Sequence, residues 1–127
     1  MKLTAKKWVE QAQYDLETAR AMLSSGRYLY VLFCCQQAVE KALKASIVER
    51  SEESPPRIHS LPRLAQICDL NPEEERLTFL AGLSAFYMQT RYPEEIEAVG
   101  AKITREKAEA ALHQTEETLT WLFSMLK

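Results

Sequence analysis

Hydrophobic residues recur along this chain with the spacing of helices, and they are densest in Tyr28–Arg50, YLYVLFCCQQAVEKALKASIVER. At about 100° per residue, Val31, Leu32, Cys34, Cys35, Ala38, Val39, Ala42, Leu43, Ala45 and Ile47 cover well over half of the helical circumference. A surface helix shows a narrower apolar face. The polar positions form one ribbon, Gln37, Glu40, Lys41 and Lys44, spaced i, i+3, i+4, i+7. The pattern predicts a central helix, enclosed on most sides and carrying one charged stripe. On a solvated surface Glu40 and Lys44, acid first at i, i+4, would support each other by about 0.2–0.5 kcal/mol. That explains the ribbon but not the apolar remainder, which aims the ribbon at a groove or a second subunit.

Upstream, Thr4 is a candidate N-cap for a helix over roughly 4–25, with Ala5, Trp8, Val9, Ala12, Leu16, Ala19 and Leu23 on one face. Asp15 lies at the edge of that stripe, either reaching solvent or meeting a cation of the central helix. Only Gly26 and Arg27 remain for the turn, so the two helices form an antiparallel hairpin. Downstream, consecutive prolines make 51–59 a loop. Ser60 then caps a short helix carrying Leu61, Leu64, Ala65, Ile67 and Cys68.

Asn71-Pro72-Glu73-Glu74-Glu75 is the clearest helix start, with Asn71 as cap, Pro72 at the first position and carboxylates at the positive end of the dipole. That helix presents Leu77, Leu80, Ala81, Ser84, Tyr87 and Met88, and continuing its last turn would align Arg91 with them. Pro93 makes Tyr92 extended and ends it. Residues 93–103 read as an irregular acidic connection, and a final helix starts near Thr104. The expected fold is all-α: an up-and-down bundle of four main helices plus one short helix, forming one domain over 1–127.

Composition narrows the chemistry. A formal net charge of −2 argues against a strongly basic nucleic-acid surface, though not against a local patch. No apolar run approaches the roughly 20 residues of a membrane span, and MKLTAKKW lacks the apolar core of a signal peptide. Cys34, Cys35 and Cys68 have no CxxC spacing, which predicts packed thiols in a reducing, cytoplasmic setting. Glycine-rich phosphate loops, HExxH and a Cys/His metal set are missing, so no metal or cofactor is expected. Two histidines occur: His113 falls opposite the final helix's apolar stripe, while His59 ends the loop beside the polar residues. A lone loop histidine is commonly structural or solvated.

Four separated stretches resemble the HEPN domain family: A-x-x-DL-x-x-A at Ala12, Asp15, Leu16 and Ala19; QQAVEKALKA from Gln36 to Ala45; HSLPRL from His59; and Tyr87 followed by Arg91-Tyr92-Pro93. The resemblance implies a HEPN-like helical bundle, commonly a homodimer, often paired with a small nucleotidyltransferase in a toxin–antitoxin or related two-gene arrangement. It also implies a cleft for a nucleotide or RNA. Many members are metal-independent ribonucleases that use an arginine followed a few residues later by a histidine. Here Arg91 is followed by Tyr92, Pro93, Glu94, Glu95, Ile96 and Glu97, so that pair is missing.

The resemblance carries over a ligand-binding set of Glu40, Lys41, Lys44, His59, Tyr87 and Arg91, supported by Asp15 and Gln37. In it Arg91 would grip a phosphate as a bidentate fork and Lys44 would act as a point charge. The competing arrangement has Asp15, Glu40, Lys44 and Arg91 neutralising one another between helices. Three functions follow: a non-catalytic nucleotide- or RNA-binding module working with a nucleotidyltransferase; a metal-independent ribonuclease using His59 and Arg91; or a purely structural dimerisation scaffold.

Overall fold

Two long helices, α1 (Leu3–Ser24) and α2 (Tyr28–Arg50), make the expected hairpin. Gly26 has φ of 76°, its N–H bonds to the Leu23 carbonyl, and the Arg27 N–H reaches back to Met22 at 2.8 Å. This is a Schellman closure, which places glycine at its left-handed position. At the far end the two helices cap each other. The Lys2 N–H donates to Glu49 Oε1 at 2.8 Å, while Lys2 Nζ donates to the carbonyls of Val48 (3.2 Å) and Ser51 (3.0 Å). A carboxylate thus meets the positive end of α1 and an ammonium the negative end of α2. The cap of α1 is therefore Lys2 and not Thr4, because α2 supplies the acceptor that a threonine hydroxyl would otherwise provide.

The computed structural model describes residues 1–126, which fold into six helices with no strand. After the hairpin come α3 (Leu61–Ile67), α4 (Glu74–Gln89), α5 (Pro93–Gly100) and α6 (Arg105–Ser124). Ser60 and Thr104 cap α3 and α6 through their hydroxyls, accepting from the N–H groups of Arg63 and Lys107. Among the described residues no helix is long and apolar enough to cross a membrane.

α2 is the axis of the bundle. Val31, Cys35, Ala38, Val39, Ala42, Leu43, Ala45, Ile47 and Val48 are all buried. Against one side lies α1, whose fully buried residues, Ala5, Ala12 and Ala19, repeat every seven positions. Small side chains on a heptad spacing let two helices pack closely along their length. Against other sides lie α3, α4 and α6, the last through Ala108, Leu112, Thr115, Leu119 and Leu122.

Two boundaries differ from expectation. α4 starts at Glu74, with Glu73 as its cap residue, so Asn71 and Pro72 stand outside it; Glu74 and Glu75 still occupy the first turn. Its buried residues are Leu80, Leu83, Ser84 and Phe86, whereas Leu77 and Met88 are exposed. The stretch from Pro93 is not irregular but forms α5, with proline at the first position and Glu94 and Glu95 behind it. Proline needs no N–H partner there and the acids meet the dipole, so the bundle has four long helices and two short ones.

Candidate functional site

The polar ribbon of α2 does not face water. Glu40 is 5% exposed and Lys44 is 7% exposed. Burying charges is tolerated only where they are paired and hydrogen-bonded, and each has its partner. Lys44 Nζ donates to Glu40 Oε2 at 3.0 Å, and Glu40 also holds His59, whose Nδ1 lies 3.0 Å from Oε1 and 3.1 Å from Oε2. A step along the ribbon, Lys41 Nζ lies 2.7 Å from Asp15 Oδ2 on α1, an ion pair whose angles miss those of a hydrogen bond. Asp15 thus meets a cation of the central helix instead of solvent. Gln37 is half-buried and makes no side-chain hydrogen bond among the described residues.

A residue outside the expected set completes the network. Gln36 is fully buried, and its Nε2 donates to the backbone carbonyl of His59 at 2.9 Å and, more weakly, to Glu40 Oε1 at 3.4 Å. Its place in the QQ pair was a visible sign, but a glutamine flanked by cysteines and alanines does not break the apolar count. Gln36 and Glu40, one turn apart, together fix both the backbone and the ring of His59. Glu40 takes the ring at Nδ1, which leaves Nε2 without a hydrogen-bond partner among the described residues. The imidazole is nonetheless 45% exposed, so it is braced from within and open outward.

His59 faces α4. Its ring centroid is 5.7 Å from that of Tyr87, and the Arg91 guanidinium carbon is 6.0 Å from the Tyr87 centroid. Both His59 and Arg91 line an open groove of about 410 Å³, floored by Ile58, Ala85 and Met88. Ser84 lines it as well and accepts the Leu61 N–H at 2.8 Å, tying α3 to α4 below the groove.

Arg91 does not align with the buried side of α4. The helix ends at Gln89, and Thr90 turns its N–H and hydroxyl back to the Phe86 carbonyl, the latter at 2.9 Å. Pro93 keeps Tyr92 extended, at φ −119° and ψ 147°. Arg91 therefore sits in an exposed turn, outside the buried network, and makes no ion pair among the described residues.

The expected set thus separates into three groups. Asp15 and Lys41 pair between α1 and α2; Glu40, Lys44 and His59 form a buried-to-surface relay; and His59 and Arg91 line the groove, with the Tyr87 ring near both. Lys44 itself opens to a different cavity, beside Trp8. His113 is exposed and pairs with Glu117 at 2.6 Å.

The HEPN domain model matches residues 5–125 of the chain. Among solved structures, TT1696 from Thermus thermophilus is similar at 30% identity and a TM-score of 0.80, over 94% of this chain and 96% of that one. ST0689, described as an archaeal HEPN homologue, is similar at 29% identity and a TM-score of 0.79 over the whole of both chains. No curated protein matches. A bundle wound on one nearly engulfed helix, with four separated motifs in the family's order, fits that model, and the chain belongs to the HEPN domain family.

Proposed function

We propose that this chain is a nucleotide- or RNA-binding module, one domain acting as a homodimer alongside a small nucleotidyltransferase in a toxin–antitoxin-like pair, and not itself catalytic. The observation that carries the binding reading is the contrast among cations. Lys41 and Lys44 are neutralised within the bundle, whereas Arg91 is exposed, free of ion pairs among the described residues, and shares a groove with His59. A guanidinium is suited to gripping a phosphate with two parallel hydrogen bonds. Three unpaired cysteines fit a reducing, cytoplasmic setting. Titration of short RNAs and mononucleotides into wild type and Arg91→Ala tests this. Binding that the substitution weakens at least tenfold is expected; no binding by wild type overturns the reading. Light scattering at micromolar concentration tests the dimer, and a monomer there removes it.

A second reading is favoured by the Glu40–His59 contact. A carboxylate that orients a histidine leaves its outer nitrogen ready for proton transfer: His59 would take the 2′-hydroxyl proton as that oxygen bonds to phosphorus, Arg91 would stabilise the phosphorane charge, and the P–O5′ bond would break to a 2′,3′-cyclic phosphate as the 5′-oxygen takes a proton from water. Incubation with RNA in EDTA decides it: cleavage lost in His59→Ala supports a ribonuclease, and no cleavage by wild type sinks it.

A further inference from the structure

Lys44, buried against Glu40, opens onto a cavity that the groove does not share. That cavity, of about 570 Å³, lies between the start of α1 and the 51–57 loop, within the roughly 300–1,000 Å³ of small-molecule pockets. Of the three donors an ammonium carries, Lys44 gives one to Glu40 Oε2 at 3.0 Å, and the other two have no acceptor among the described residues. Lys2, on the same wall, has none to spare: its Nζ donates to the carbonyls of Val48 and Ser51 and to Glu52.

The charges around the cavity set the guest's polarity. Lys44 is neutralised by Glu40 and Lys2 by Glu52. That leaves Arg57 and Glu53, which both line the cavity, are both exposed, and make no ion pair with each other or with a third group among the described residues. The open charges are therefore one of each sign. A lone anion meets Glu53 and a lone cation meets Arg57, whereas a guest carrying both charges can match each with its opposite. Trp8, Val48, Pro55 and Pro56 supply the apolar lining. Trp8 is half-buried, with its ring centre 5.8 Å from Lys44 Nζ, so an apolar group attached close to a carboxylate held by Lys44 falls within reach of the indole.

We propose that the Trp8–Lys44 cavity binds a free α-amino acid with an apolar side chain. Its carboxylate accepts from the two open donors of Lys44 and from the Arg57 guanidinium, its ammonium meets Glu53, and its side chain packs on Trp8. The proposal does not rest on what the groove at His59 and Arg91 binds, and its test uses neither RNA nor a nucleotide, so the two readings fail separately.

Trp121→Phe leaves Trp8 as the sole indole, and titration of that variant with L-leucine reads the cavity directly. A saturable change in Trp8 emission is expected. Isocaproate, which is leucine without its ammonium, and isoamylamine, which is leucine without its carboxylate, should each bind more weakly by about tenfold or more, one charge-assisted contact being lost. Arg57→Gln and Glu53→Gln in the same background should each weaken leucine by about tenfold for the same reason. Glu53→Gln should not weaken isocaproate, which has no ammonium to lose. Arg63→Gln, which removes an exposed charge outside the cavity, should leave leucine binding unchanged. The proposal is overturned if leucine gives no saturable response, if either one-charge analogue binds as well as leucine, if either cavity substitution has no effect, or if Arg63→Gln weakens leucine as much as Arg57→Gln does.

Discussion

Glu40 Oε1 stands 3.0 Å from His59 Nδ1, which joins the middle of the most buried helix to a histidine on the groove that Arg91 also lines. The same carboxylate takes Lys44 at 3.0 Å through its other oxygen. A single buried acid therefore sets the position of one exposed ring and neutralises one buried ammonium.

Glu40→Gln should destabilise the fold by about 3–5 kcal/mol, because it leaves Lys44 charged, buried and without its partner. Adding Lys44→Met should restore most of that loss, since it removes the buried charge that the first substitution leaves without a counter-ion. Urea denaturation of both single variants and the double closes the cycle. Additive losses would show that the two side chains do not act as a pair.

Asp15 and Lys41 are less enclosed, at 17% and 23% side-chain exposure. Asp15→Asn should cost about 1–2 kcal/mol, below the Glu40 loss, because the lone Lys41 can still recover hydration. Thermal melts of Asp15→Asn and of Asp15→Asn with Lys41→Met check the ranking.

Burial pushes the Cys35 thiol up to about 12 and the Cys68 thiol up to about 11, and raises Cys34 as well through burial first and Asp15 second. An unfolded thiol ionises near 9, so above that pH the unfolded state releases a proton that the folded state keeps. Their contribution is thus complete below pH 9 and declines as pH rises toward 11 and 12. The stability advantage of wild type over Cys35→Ala should shrink by about 1.4 kcal/mol per pH unit across that window. Denaturation at pH 8 and pH 10 measures it. At pH 8 a thiol reagent should modify half-buried Cys34 first, with Cys35 and Cys68 reacting only on unfolding.

Two glycines should respond to alanine with opposite sign. Gly26 holds φ at 76° with open space around its missing Cβ, so the loss comes from backbone strain alone, about 1–2 kcal/mol. Gly82 lies inside α4 with equal space and no such angle, so alanine should stabilise by about 0.5–1 kcal/mol. Melting temperatures moving in the same direction would contradict the assignment.

The hairpin, the loop, the cap of α3 and the start of α6 were legible in the chain because glycine, proline, serine and threonine mark them by short-range chemistry. α5 carried the same proline-then-acids signal as α4, but its shortness, its three glutamates and Gly100 disguised it as a connection. The reverse error placed the start of α4 at Asn71, since a proline two residues ahead of a helix looks like one at its first position. Of the site, the ribbon and its family set could be named, but not its division. Which cation is neutralised and which is left exposed depends on how α1 docks on α2, bringing Asp15 to Lys41, and on where α4 stops, leaving Arg91 in a turn. Trp8 and Gln36 were hidden for a related reason: at their positions a core residue and a site residue have the same periodicity.

Gln36 holds the main chain at His59 from inside the bundle. The histidine is therefore located by the interior, and the loop residues before it can change in length or character without moving it. The rim is free to diversify toward new guests while the pivot beneath stays put. By the same logic, a substitution sealed from solvent at position 36 would misplace the groove's ring although it never touches a ligand.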